Sequence, residues 1–79
     1  MDVKIRCFGN LRDYLPEGGD RSSFSMFLTD GVSVREMLGE LGLLEDLTLV
    51  VVVNNKGVDR SHVLKDQDRV DIFRPSGGG

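Results

Sequence analysis

The chain has 79 residues with one Cys and one His, which points to a single domain and rules out an internal disulfide and a four-ligand zinc site. A domain of this size buries only roughly 60–65% of the surface its unfolded form exposes, so one modest core fits and a deep catalytic pocket does not. The net charge of -3 argues against nucleic-acid binding, which uses a basic stripe. No stretch approaches the roughly 20 apolar residues of a membrane span. Met1-Asp2-Val3-Lys4 does not begin a signal peptide. The expected setting is the cytoplasm, where an unpaired Cys stays reduced.

The first element is a strand over Val3 to Phe8, with Val3, Ile5 and Cys7 inward and Lys4 and Arg6 outward. Gly9-Asn10 breaks it, and Leu11, Tyr14 and Leu15 have the spacing of a short helical turn before Pro16. Pro16-Glu17-Gly18-Gly19-Asp20 reads as an exposed loop. Ser23 to Leu28 alternates again, with Phe24, Met26 and Leu28 on one face, and can pair with the first strand as a wide hairpin.

Ser33-Val34-Arg35-Glu36 is a capping box, with Val32 and Met37 placed as a hydrophobic staple. Val34, Met37, Leu38 and Leu41 form one apolar face, and Gly42 falls where a left-handed cap belongs. The spacing predicts a helix over Val34 to Leu41. Leu47 to Val53 is an apolar run interrupted by Thr48; its four Val favour a strand, buried on both faces or on one face plus a partner. Asn54-Asn55-Lys56-Gly57 is a turn, and Val58 starts a short return. After the polar turn Lys65-Asp66-Gln67-Asp68, Arg69 to Arg74 alternates with Val70 and Ile72 inward and Phe73 outward. Pro75 ends regular structure, since it offers no amide to a ladder.

One helix covers one face of a sheet. The expected architecture is α+β, a mixed twisted sheet with the main helix packed across one face. The folded domain is expected over residues 1–75, with a flexible glycine tail at 76–79.

The element order and the closing segment resemble the sulfur carriers of the ThiS/MoaD family, which have the ubiquitin-like β-grasp fold. The resemblance rests on Phe8-Gly9-Asn10-Leu11-Arg12-Asp13 and Val34-Arg35-Glu36-Met37-Leu38. It rests most specifically on the run from Leu64 through Arg69-Val70-Asp71-Ile72-Phe73-Arg74-Pro75 to Ser76-Gly77-Gly78-Gly79. The chain departs from the family where Gln67 stands at a turn position often held by Gly, where Arg74 replaces a common Pro, and in its third glycine.

The resemblance implies a carrier or co-substrate rather than an enzyme. An E1-like adenylating enzyme would join the Gly79 carboxylate to AMP, using its own ATP and Mg, while the carrier itself binds no cofactor. A sulfur donor protein would then convert the adenylate to a thiocarboxylate. An acceptor synthase subunit would use that sulfur to make a molybdopterin-type cofactor or thiamin.

Such chemistry suits a glycine tail. Glycine has no Cβ and threads a narrow channel, so Gly77 and Gly78 give access and Gly79 reacts. Four extended residues span about 14 Å, while Pro75 stiffens the root. Partner docking is expected at Phe73, Arg74, Pro75 and Arg6, an aromatic beside arginines being a common hot-spot composition.

Other features are plainer. Cys7 is expected as a small buried hydrophobe, and His62 as a surface residue. Gly18-Gly19 lacks the ending of a phosphate-binding loop. Asp66, Asp68 and Asp71 read as a polar turn and a solvated strand edge. The competing functions are a ubiquitin-like modifier conjugated through its C-terminus and a non-catalytic β-grasp interaction module.

Overall fold

A computed structural model describes residues 1–8 and 23–75. The expected helical turn at Leu11 to Leu15, the loop at Pro16 to Asp20 and the tail at Ser76 to Gly79 lie outside the described residues. Strands β1 (Asp2–Cys7), β2 (Ser23–Phe27), β3 (Val50–Val53), β4 (Lys56–Val58) and β5 (Arg69–Phe73) form a five-stranded sheet in the order β2-β1-β5-β3-β4. β1 and β5 pair in parallel at the centre, and the other pairs are antiparallel. Helix α1 (Val34–Leu41) supplies Val34, Met37 and Leu38 to a core that also holds Val3, Ile5, Cys7, Val51, Val53, Val70 and Ile72. The mixed sheet with one helix across one face is therefore as expected.

The helix begins where Ser33 does what its sequence context demands. Ser33 Oγ accepts from the Glu36 amide at 3.2 Å, and the Glu36 carboxylate accepts from the Ser33 amide at 3.1 Å. Amides without an intrahelical partner would be costly near a core. Two of them find carbonyls on a neighbouring segment: Val34 donates to His62 at 2.8 Å and Arg35 to Arg60 at 2.9 Å. Gly42 ends the helix at φ 77°, a left-handed conformation that suits glycine, and Leu43 N–H closes the turn on Leu38 at 2.9 Å.

The structure corrects two readings and narrows a third. The strand expected from Leu47 starts at Val50, because Asp46 captures Thr48 in a local turn and leaves Leu47 83% exposed. Within β3 only Val51 and Val53 are buried, while Val50 and Val52 are half-buried on the other face. The turn expected over Asn54 to Gly57 is two residues long. Asn54 (φ 50°) and Asn55 (φ 71°) are both left-handed, the signature of a tight hairpin, and Lys56 already pairs with Val53.

The acidic segment differs as well. Asp68 is buried rather than solvated, accepting from Asn54 Nδ2 at 2.8 Å and from the Lys65 amide at 2.8 Å. Asn54 Oδ1 in turn accepts from the Arg69 amide at 3.0 Å. These bonds tie the β3–β4 hairpin to the entry of β5 and satisfy a carboxylate whose burial would otherwise be costly. Asp71 is not at a strand edge, since β5 lies mid-sheet. Gln67 adopts φ 70°, a left-handed conformation that favours Gly, and its amide donates to the Asp2 carbonyl at 2.6 Å.

Candidate functional site: the outer sheet face and the root of the tail

The register decides which side chains share the outer face. Lys4 lies opposite Arg69 and Arg6 opposite Asp71 across the parallel β1–β5 pair, and Val50 lies opposite Phe73 across β3–β5. The Phe8 amide donates to Ile72 at 3.1 Å, carrying the ladder one residue past β1 and placing Phe8 beside Phe73. The two rings meet edge to face, 6.4 Å apart at 88°, a geometry favoured by the ring quadrupoles. Phe8 remains 42% exposed, and Phe73, on the outward side as expected, is half-buried.

Arg6 is anchored at both ends of its planar head. Its Nε donates to Asp71 Oδ1 at 2.8 Å and its NH2 to Asp71 Oδ2 at 3.1 Å, and its guanidinium lies 5.4 Å from the Phe8 ring centroid. This two-pronged pairing and the ring contact suit arginine and not lysine. The hydrogen bond and the charge of Asp71 push the Arg6 pKa up.

At the end of the face where β5 runs out, Phe8, Asp71, Phe73, Arg74 and Pro75 line an open depression of about 660 Å³. Three expected docking residues, Phe73, Arg74 and Pro75, thus come together, and Arg6 adjoins them through Asp71 and Phe8. A smaller depression of about 220 Å³, lined by Lys4, Arg6, Ser23, Arg69 and Asp71, continues along the face with a cationic excess. Gly77, Gly78 and Gly79 lie outside the described residues.

Two residues were not anticipated. Phe8 follows Lys4 and Arg6 in the outward alternation, a signal available in the sequence; its contact with Phe73 depends on the parallel register. Asp46 carries no local signal of its pairing with Arg74. It accepts from Arg74 Nε at 3.2 Å and also from Arg74 NH2, 28 residues away. Hydrogen bonds from the Thr48 hydroxyl, then from Arg74, then from the Thr48 amide hold its carboxyl at a pKa of about 2.

Cys7 is buried, as expected, and burial pushes its thiol pKa up; the thiolate needed for nucleophilic work is disfavoured. Among the described residues no cluster of three or more His, Cys, Asp or Glu could hold a metal, and no helix is long and apolar enough to cross a membrane.

A small mixed sheet with one helix, and with its open aromatic and cationic face at the last strand, defines a ubiquitin-like β-grasp protein. Solved structures bear this out. The putative molybdopterin converting factor subunit 1 of Pyrococcus furiosus is 25% identical, with a TM-score of 0.75 over 94% of this chain and 97% of that one. Molybdopterin-converting factor of Helicobacter pylori, solved as a complex of subunits 1 and 2, is 26% identical with a TM-score of 0.60 over 100% of both chains. The small archaeal modifier protein 1 of Methanosarcina acetivorans shares the fold at 20% identity, with a TM-score of 0.70 over 99% of this chain and 96% of that one. No curated protein sequence matches. The ThiS family matches residues 5–79, and the chain belongs to that family. Its members are small sulfur-carrier subunits and not themselves catalysts.

Proposed function

We propose that the chain carries sulfur as a thiocarboxylate on Gly79 and delivers it to a synthase partner. The observation that carries this reading is the family match, which runs through the last strand, Pro75 and the glycines to residue 79. The open aromatic face at the tail root supports it, because a carrier needs a body surface to hold while its terminus enters another protein's site.

The chemistry starts from a carboxylate, which is a poor acyl donor because its leaving group would be oxide. Attack of the Gly79 carboxylate on the α-phosphorus of ATP, in an E1-like partner that supplies Mg, releases pyrophosphate and forms an acyl adenylate. The terminal sulfur of a donor protein's persulfide then attacks the acyl carbon and AMP leaves. A thiol cleaves the resulting acyl disulfide, leaving the carrier thiocarboxylate and a new disulfide. Ordering the tail in the partner's site costs on the order of 1–2 kcal/mol per residue. Phe8, Phe73 and the Arg6–Asp71 pair offer the contacts that offset it.

The similarity to a protein solved with its second subunit favours an acceptor synthase making a molybdopterin-type product over thiamin synthesis. The cytoplasm supplies the ATP and thiols that this route consumes.

Intact-mass measurement tests the reading after incubation with an adenylating enzyme of this class, MgATP and a persulfide donor. The expected gain equals replacement of one oxygen by sulfur. Deleting Gly79 or adding a residue after it is expected to abolish the gain and leave circular dichroism unchanged. A ladder of lysine conjugates in place of the sulfur gain would point to a protein modifier and overturn the carrier reading.

A further inference from the structure

The short segment between α1 and β3 is tied to the folded body at several points and reaches the tail root through one side chain. Arg60 donates to the Leu44 carbonyl at 2.8 Å and to the Asp46 carbonyl at 2.5 Å. The carbonyl of Arg60 itself accepts from Arg35 in the first turn of α1 at 2.9 Å. The helix start, Arg60 and the backbone around Asp46 therefore form one connected unit.

The two oxygens of Asp46 have separate tasks. Oδ1 closes the local turn, accepting from the Thr48 amide at 3.0 Å and from the Thr48 hydroxyl at 2.5 Å. Oδ2 accepts from both Nε and NH2 of Arg74. Arg74 is the last residue before Pro75, whose ring fixes its own φ and keeps the Arg74 backbone extended. Fixing the Arg74 side chain thus limits the directions in which the chain leaves the sheet. A surface ion pair adds little to stability, so this pair's position at the tail root is the more informative property.

We propose that Asp46 is a positioning residue for group transfer at the C-terminus: it holds Arg74 and so sets the exit direction of the chain at Pro75. This rests on the carrier reading above. Asp46 need touch neither ATP nor the sulfur donor. It lowers the ordering that the partner must impose on the tail.

The oxygen assignment supplies a clean variant. Asp46→Asn keeps an Oδ1 acceptor for Thr48 and turns an NH2 toward Arg74, where donor meets donor. Thr48→Val does the reverse, loosening the turn and leaving Oδ2 in place. Two measurements on the full chain separate the possibilities. The first is ¹⁵N relaxation of Arg74 Nε in the isolated protein, which involves no partner. Asp46→Asn is expected to raise its mobility, while Thr48→Val changes it less; unchanged relaxation in Asp46→Asn would overturn the latch. The second is ATP–pyrophosphate exchange with the adenylating partner. Asp46→Asn is expected to lower kcat/KM about tenfold, the effect of ordering roughly one more backbone residue. The thermal midpoint at neutral pH should fall only slightly, since an exposed ion pair adds little to stability, and Asp46→Glu should recover part of the loss in kcat/KM. An unchanged or increased kcat/KM in Asp46→Asn, with the wild type active, would overturn the positioning role alone. No exchange with the wild type would overturn the carrier reading and this role with it.

Discussion

The two faces of the sheet are built from the same strands and obey different rules. On the inner face Val3, Ile5, Val70 and Ile72 are completely buried under α1. On the outer face the intervening residues are Lys4, Arg6, Arg69, Asp71 and Phe73, exposed or half-buried. The inner face stabilises by removing apolar area from water, at about 25 cal/mol per Å². On the outer face Arg6 is paired with Asp71, Lys4 and Arg69 add a cationic excess, and Phe8 leaves aromatic surface open. That division lets the protein change its partner contacts without changing its fold, because few side chains serve both faces.

Substitutions on one strand should reveal the contrast. Ile72→Ala on the inner face is expected to lower unfolding free energy by about 2–5 kcal/mol, measured by urea titration, with partner binding lost only as the fold is lost. Phe73→Ala, the next residue, should cost about 0.5–1.5 kcal/mol from the lost ring pair and weaken binding to the adenylating partner more than tenfold in calorimetry. A stability loss at Phe73 as large as that at Ile72 would erase the distinction between the faces.

The smallest effect is expected from acid. The Asp46, Asp59 and Asp66 pKa values are all lowered, chiefly by hydrogen bonds from Thr48, from Ser61 and from the Asp2 amide respectively. Carboxylates held below their unfolded value of about 3.9 contribute stability that is fully present above that pH. The contribution is lost as pH falls through the folded value, which for Asp46 is about 2. Urea midpoints should therefore stay level above roughly pH 5 and decline toward pH 2. Asp46→Asn should make that decline shallower. A midpoint that rises on acidification would contradict the assignment.

Much of the architecture was legible from local patterns. The capping box at Ser33 and the glycine at 42 bounded the helix, because both act through the nearest turns of chain. Alternation marked the inward residues of β1 and β5 because strand side chains alternate between faces. Legibility failed where a local competitor or a distant partner intervened. Asp46 stopped the expected strand at Leu47 by bonding Thr48, and Asp68 became buried only because Asn54 met it across the hairpin. The outward placement of Arg6 and Phe73 was legible in the alternation of their strands, but not the edge-to-face contact of Phe73 with the Phe8 ring.

Near neighbours in the chain dictate the helix and its caps and the inward stripes of β1 and β5, and the closing strand and glycines carry the family. Which outward residues meet depends on the assembled sheet. The parallel β1–β5 register places Phe8 beside Phe73 and Arg6 beside Asp71, and the tethered segment after α1 brings Asp46 to Arg74. Those contacts join residues far apart in the chain. Hydrophobic alternation specifies a strand's face but not its partner, so they exist only once the sheet has been assembled.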